Sequence, residues 1–83
     1  MELYIVFTDS EIVLTKQQYE SWRELQNDFF NYKSSLGPWQ ENLVIDYLNS
    51  HYPDLSPSAQ LQVTALITSG HFEVPLKMSQ NDK

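Results

Sequence analysis

The sequence predicts an α+β domain, with an N-terminal β-hairpin, three helices and a short C-terminal strand that returns to the sheet, in the order ββαααβ. Three observations support this fold class. Residues 15–33 repeat apolar side chains at helical spacing, two short β-prone runs precede them, and two prolines stand where further helices would begin. The pattern fills a single compact domain over residues 1–76. Residues 77–83 are predicted to be a disordered polar tail.

The hairpin is predicted from residues 3–7 and 12–14, which read LYIVF and IVL. Both runs are rich in β-branched and aromatic residues, which favour strands. The four residues between them, TDSE, are typical of a turn.

The first helix is predicted over residues 15–33. Its start is indicated by Thr15 and Gln18, whose spacing matches a capping box. Trp22 is expected at the centre of the buried face. The apolar members of that face are Tyr19, Trp22, Leu25, Phe29, Phe30 and Tyr32.

A second helix is predicted over residues 39–51, because Pro38 suits the first helical position. Its apolar face is Leu43, Val44, Tyr47 and Leu48, and Asp46 lies opposite. Residues 58–69 fit either a helix or an alternating strand, and the helix is favoured because start and stop signals bound the segment. Residues 71–75 alternate as a short strand that ends at a proline.

Composition excludes several classes of function. Eleven Asp and Glu against five Lys and Arg give a formal net charge of −6, which opposes binding to nucleic acid. There is no cysteine, and no apolar run is long enough for a signal peptide or a membrane span. We therefore expect a cytoplasmic protein with no membrane partner.

Catalytic and cofactor sites have little support in the sequence. A metal site would need His51 with Asp54, or His71 with Glu73, to converge with further ligands, and two glycines are too few for a phosphate-binding loop. No nucleophile elbow is present. We expect neither enzymatic activity nor a cofactor or metal.

Two surface features are candidates for binding a protein partner. Glu20, Glu24 and Asp28 recur at four-residue spacing, and they form either a solvated face or an acidic docking row for a basic protein. Trp39 lies beyond the edge of the second helix's apolar face. It either covers the core or anchors a partner.

The leading hypothesis is a small acidic, non-enzymatic interaction protein that binds and modulates or inhibits a protein with a basic surface. By analogy of size and charge, inhibitors of nucleic-acid-handling proteins that phages and mobile elements encode belong to this class. One alternative is a helix-turn-helix DNA-binding regulator built from the second and third helices. Another is a self-associating structural subunit, for which a homodimer is the simplest form.

Overall fold

The computed structural model describes residues 1–78, and over this range it contains a four-stranded antiparallel sheet and three helices. The strands are β1 (Glu2–Thr8), β2 (Ile12–Thr15), β3 (Tyr32–Gln40) and β4 (Glu73–Pro75), in the spatial order β3-β1-β2-β4. The helices are α1 (Trp22–Asp28), α2 (Glu41–His51) and α3 (Ala59–Thr68). The predicted α+β class, the hairpin, the helices and the returning C-terminal strand are confirmed. Strand β3 was not predicted, so the order of elements is ββαβααβ.

The hairpin turn is closed by hydrogen bonds from both the backbone and the side chain of Thr8. The backbone N–H of Thr8 donates to the carbonyl of Glu11 at 3.0 Å, and its hydroxyl donates to the same carbonyl at 3.0 Å. That hydroxyl also accepts from the N–H of Glu11 at 3.1 Å. These polar groups of the turn therefore have hydrogen-bond partners within the turn. The pairing of β1 with β2 begins at Phe7 and Ile12.

The sheet separates two apolar cores, because successive side chains of a strand point to opposite faces. Helices α2 and α3 cover one face, where the buried residues are Leu3, Ile5, Leu14, Val44, Leu48, Ala59, Val63 and Leu66. Helix α1 covers the other, where the buried residues are Tyr4, Val6, Val13, Leu25 and Phe29. The molecule is therefore three layers thick, with α1 on one side of the sheet and the α2 and α3 pair on the other.

The prediction of a helix over residues 15–33 is wrong in extent. Helix α1 has seven residues, and its N-cap is Ser21, whose hydroxyl accepts from the N–H of Glu24 at 3.4 Å. The Glu24 carboxylate accepts from the N–H of Glu20 at 3.1 Å. The start signal is thus the Ser-x-x-Glu pattern at residues 21–24, which satisfies backbone donors as a capping box does.

Thr15 has a different role from the predicted helix cap. It is the last residue of β2, it is fully buried, and its hydroxyl donates to the carbonyl of Phe72 at 3.1 Å. The Gln18 side chain donates to the carbonyls of Glu2 and Lys16 at 3.2 and 3.0 Å. Both side chains bond to backbone groups outside a helix, so residues 16–20 connect β2 to α1 in irregular structure.

Trp22 is not at the centre of the buried face. It is 60% exposed, and the guanidinium of Arg23 lies 5.6 Å from the centre of its ring. Leu25 is the fully buried residue of α1. A two-turn helix presents few side chains to the sheet, and Phe29, just after its end, completes the contact.

Strand β3 occupies the segment where the sequence predicted the end of a helix and a loop. Gly37 has a φ of +119°, and a Cβ at this position would lie 2.6 Å from the carbonyl oxygen of Leu3. Only glycine permits so close an approach in this conformation. The pairing of β1 with β3 shifts register between Leu3 and Ile5, and Pro38 follows at an edge of the sheet, where its missing N–H is tolerated.

The helical interpretation of residues 58–69 is confirmed. Helix α3 begins after Ser58, whose hydroxyl accepts from the N–H of Leu61 at 3.3 Å. Helix α2 begins at Glu41, two residues later than predicted, because Trp39 and Gln40 end strand β3.

A buried glutamine joins α3 to the C-terminal segment. The Gln62 amide donates to the carbonyls of Pro57 and Lys77 at 2.7 and 2.8 Å, and its oxygen accepts from the N–H of Lys77 at 2.9 Å. Met78 forms an isolated bridge with Leu55. Of the predicted tail, residues 79–83 lie outside the described residues.

A lysine side chain terminates α3. The Lys16 ammonium donates to the carbonyls of Leu66 and Ser69, both at 2.8 Å, and to that of Ile67 at 3.3 Å. These carbonyls belong to the C-terminal end of the helix, where backbone acceptors are left unpaired and a positive charge is favourable. The Lys16 backbone N–H also donates to the carbonyl of Phe72 at 2.8 Å.

Replacing Lys16 with Met should lower the free energy of unfolding by about 1.5–3 kcal/mol, because hydrogen bonds from a charged donor are lost while the side-chain length is kept. Lys33→Met is the matched control. Lys33 pairs with Asp9 at 3.2 Å with both side chains more than half exposed, so its loss should cost less than about 1 kcal/mol. Urea unfolding of both variants measures the difference. Equal losses would contradict the structural role of Lys16.

Leu25→Ala should cost about 2–5 kcal/mol, because it empties a fully buried position between α1 and the sheet. Trp22→Ala should cost no more than about 1 kcal/mol, since that side chain is mostly exposed. Chemical denaturation of the two variants gives the comparison. A larger loss for Trp22→Ala would restore that residue to the core.

Candidate functional site

An open groove of about 440 Å³ lies between the end of β3 and the outer side of α2. We call it the α2 groove. Its lining residues are Trp39, Leu43, Asp46, Tyr47, Ser50 and His51. Trp39 belongs to β3, and the other five lie on α2, where spacings of three and four residues place them along one side of the helix. Val44 and Leu48, on the adjacent side, are fully buried against the sheet, and this contact fixes the orientation of the groove.

The aromatic rings of the groove hold one another in place. The Trp39 and Tyr47 rings are 5.6 Å apart at 63°, and the Tyr47 and His51 rings are stacked 4.1 Å apart at 19°. His51 is itself fixed by a hydrogen bond between Nδ1 and the carbonyl of Tyr47 at 3.0 Å. Ring surfaces fixed in this way lose little side-chain entropy when a ligand covers them.

Of the two roles that the sequence left open for Trp39, the structure shows the first, a contact with the core. Trp39 packs against the core formed by the sheet, α2 and α3, and it also lines the α2 groove. Beside it, Leu43 is 50% exposed. The groove therefore offers apolar surface to solvent on a rigid support.

The segment that supplies the α2 groove contains no lysine or arginine. Residues 34–76 contain neither residue type, but they contain Glu41, Asp46, Asp54 and Glu73. Three basic side chains from outside this range have partners in the structure: Lys16 bonds to α3, Lys33 pairs with Asp9, and Arg23 lies over Trp22. The carboxylate of Asp46 lines the groove itself.

The predicted acidic row is only partly a feature of one helix. Glu20 lies before α1, whereas Glu24 and Asp28 lie within it, and all three are exposed. Two of the carboxylates have internal partners, since Glu24 accepts from the N–H of Glu20 and Asp28 accepts from the hydroxyl of Tyr19 at 2.6 Å.

The acidic row and Trp39 lie on opposite sides of the sheet. Leu25 of α1 packs against the face that carries Tyr4 and Val6. Trp39 packs against the opposite face, with Leu3 and Ile5. The structure therefore does not bring the two candidate features into one site.

The environment of Asp28 changes two nearby acid–base equilibria. The pKa of Tyr19 is raised, first by burial and then by the hydrogen bond to Asp28 and its negative charge. The pKa of Glu73 is raised by burial and by the charges of Asp28 and Glu11. Both shifts follow first from burial and then from the nearby carboxylates.

Among residues 1–78, no group of three or more metal-ligating side chains converges. Over the same residues, no helix is long and apolar enough to cross a membrane.

Comparisons with protein-family models, with curated proteins and with solved structures find no match to this chain.

Sequence reasoning identified Trp39 but missed the rest of the groove. It assigned Tyr47 to the apolar face of the second helix and Asp46 to the opposite face. Tyr47 does pack against the core, and both residues line the α2 groove. The sequence does contain a pattern that indicates the groove. Residues 39, 43, 46, 47 and 50 follow helical spacing, and together they form a partly apolar face of the predicted second helix.

Replacing Asp28 with Asn should lower the pKa of Tyr19 toward its ordinary value of 10.0, because the negative acceptor is removed. In the wild type the folded state holds the Tyr19 proton more tightly than the unfolded chain. That contribution to stability is complete below the unfolded pKa and is lost as the pH rises from about 10 through the folded pKa.

Ultraviolet titration of tyrosinate measures this effect, and Tyr19→Phe identifies which step belongs to Tyr19. Glu41→Gln, on α2, is the control with an unchanged titration. If the Asp28→Asn curve matches the wild type, the hydrogen bond to Tyr19 does not control this ionisation.

Proposed function

We propose that this chain is a small acidic, non-enzymatic interaction protein that binds and modulates a protein partner with a basic surface, and that the α2 groove is its contact site. The observation that carries the proposal is the groove itself. It presents Trp39, Leu43 and Tyr47 beside Asp46, in a part of the chain that has no lysine or arginine.

The apolar content of the groove supports a macromolecular partner. Protein interfaces derive most of their binding energy from a few well-supported anchors, among which tryptophan and tyrosine are enriched. Trp39 and Tyr47 are already fixed against each other and against the core, so they need little ordering on association. Leu43 supplies exposed aliphatic surface next to them.

The charge of the chain supports a basic partner. A net charge of −6 attracts positively charged surfaces and repels polyanions. Proteins that handle nucleic acid carry such surfaces. Occupying one of them would inhibit the partner, which is the mode of action expected of acidic inhibitors from phages and mobile elements.

The helix-turn-helix alternative has less support. Helix α3 has no lysine or arginine. Of Gln60 and Gln62, the two residues that could read base edges, Gln60 is exposed, but the Gln62 amide is buried in hydrogen bonds to Pro57 and Lys77. Phosphate contacts supply most of the affinity of DNA-binding modules, and this helix offers no cation for them.

The acidic row has a separate part in the proposal. Because it lies across the sheet from the groove, Glu20, Glu24 and Asp28 would act on a partner through long-range attraction. Exposed charges of this kind change the rate of association and lose effect at high salt, since screening sets in over about 8–10 Å.

The proposal is tested by capture from lysate of the source cells with three baits: wild type, Leu43→Ala/Asp46→Asn in the groove, and Leu61→Ala/Asp54→Asn as matched control. Leu61 and Asp54 are exposed and lie outside the groove. A specific partner should be basic, be retained by the control and be lost with the groove variant. The complex must then form from purified components. Capture that is equal on all three baits would contradict the proposed contact site.

Rate measurements on the purified complex should separate the groove from the acidic row. Trp39→Ala should raise the dissociation rate constant at least about tenfold, because removing a buried anchor typically costs about 2 kcal/mol. Neutralising the row with Glu20→Gln, Glu24→Gln and Asp28→Asn keeps hydrogen-bond acceptors and should mainly lower the association rate constant.

Surface plasmon resonance at two salt concentrations gives both constants, after circular dichroism has shown that each variant is folded. If the neutralised variant has the wild-type association rate constant, the acidic row is a solvated face and does not attract the partner. Wild-type dissociation by a folded Trp39→Ala variant would remove Trp39 from the interface.

A further inference from the structure

We propose that the α2 groove binds an arginine side chain of the partner protein, with the guanidinium against the Trp39 ring and paired with Asp46. This inference rests on the proposed function and specifies the chemistry of the contact.

The two tryptophans of the chain show contrasting surroundings. Trp22 already carries a guanidinium, that of Arg23, at 5.6 Å from its ring centre. Among the described residues, no such cation lies over Trp39, and residues 34–76 could not supply a lysine or arginine to it. Tryptophan is the ring that attracts cations most strongly. The groove therefore presents a cation-binding surface that this part of the chain leaves for another molecule.

Asp46 adds a carboxylate to the same groove. Arginine suits this combination better than lysine, because its planar guanidinium can lie on a ring while its N–H groups point at a carboxylate. The apolar stem of arginine can pack along exposed Leu43. Ring, carboxylate and aliphatic surface thus each match one part of a single arginine side chain.

A titration with blocked amino acids tests the inference without a known partner. The probes are N-acetyl-arginine amide, N-acetyl-lysine amide and the uncharged N-acetyl-citrulline amide. The readout is the indole N–H signal of each tryptophan in nitrogen-15 NMR. The chain has only two tryptophans, so Trp22 serves as an internal reference.

The arginine probe should shift the Trp39 signal along a saturable curve and leave the Trp22 signal in place. The lysine probe should bind at least about twofold more weakly, and the citrulline probe should not bind measurably. Asp46→Asn should weaken arginine binding about two- to fivefold, whereas Asp54→Asn should leave it unchanged.

Several results would overturn the inference. They are equal binding of arginine and citrulline probes, equal effects of Asp46→Asn and Asp54→Asn, and the absence of any Trp39 shift. Much tighter binding of free arginine, with its unblocked charged ends, would indicate a small-molecule site instead. If a basic partner is captured in a groove-dependent way while the arginine probe fails, this inference falls and the proposed function stands.

Discussion

The arrangement of the chain depends on the short segment at the end of β2, where Thr15 and Lys16 bond to residues fifty or more positions away. The Thr15 hydroxyl and the Lys16 N–H both donate to the carbonyl of Phe72, and the Lys16 ammonium binds the last carbonyls of α3. These contacts hold α3 and the start of β4 to a central strand. Helix α2 packs against α3 and the sheet, so the position of the α2 groove follows from the same anchor.

The elements that depend on local signals were predictable. The hairpin, the helical character of residues 59–68 and the returning strand all follow from β propensity, caps and turn residues near each element. Strand β3 was not predictable, because it is stabilised by pairing with a strand that is distant in the sequence. It pairs with the side of β1 that faces away from β2, and no local pattern within residues 32–40 indicates this pairing. Gly37 and Pro38 favour a turn locally. In the structure, the close approach to Leu3 requires the glycine, and the edge position of β3 tolerates the proline.

The misplaced helix boundary explains the error in the acidic row. Residues 15–18 and 21–24 both fit a capping pattern, and periodicity favoured the longer helix. Thr15 instead belongs to β2, where its side chain is needed for the bond to Phe72. Glu20 consequently falls outside α1. A helical wheel that treats every apolar residue of α2 as buried places Leu43 and Tyr47 with Val44 and Leu48. Only Val44 and Leu48 are fully buried in the structure, so the wheel could not identify the groove.

The two sides of the sheet are unequally covered. The side under α1 is closed by a seven-residue helix that contributes Leu25 and the adjoining Phe29, whereas the other side is closed by two longer helices. Local unfolding requires less free energy where fewer buried contacts must break. Backbone amides of α1 should therefore exchange with solvent through a partial opening that leaves α2, α3 and the groove intact. The protein can then lose order on one side while the proposed contact site on the other side stays folded.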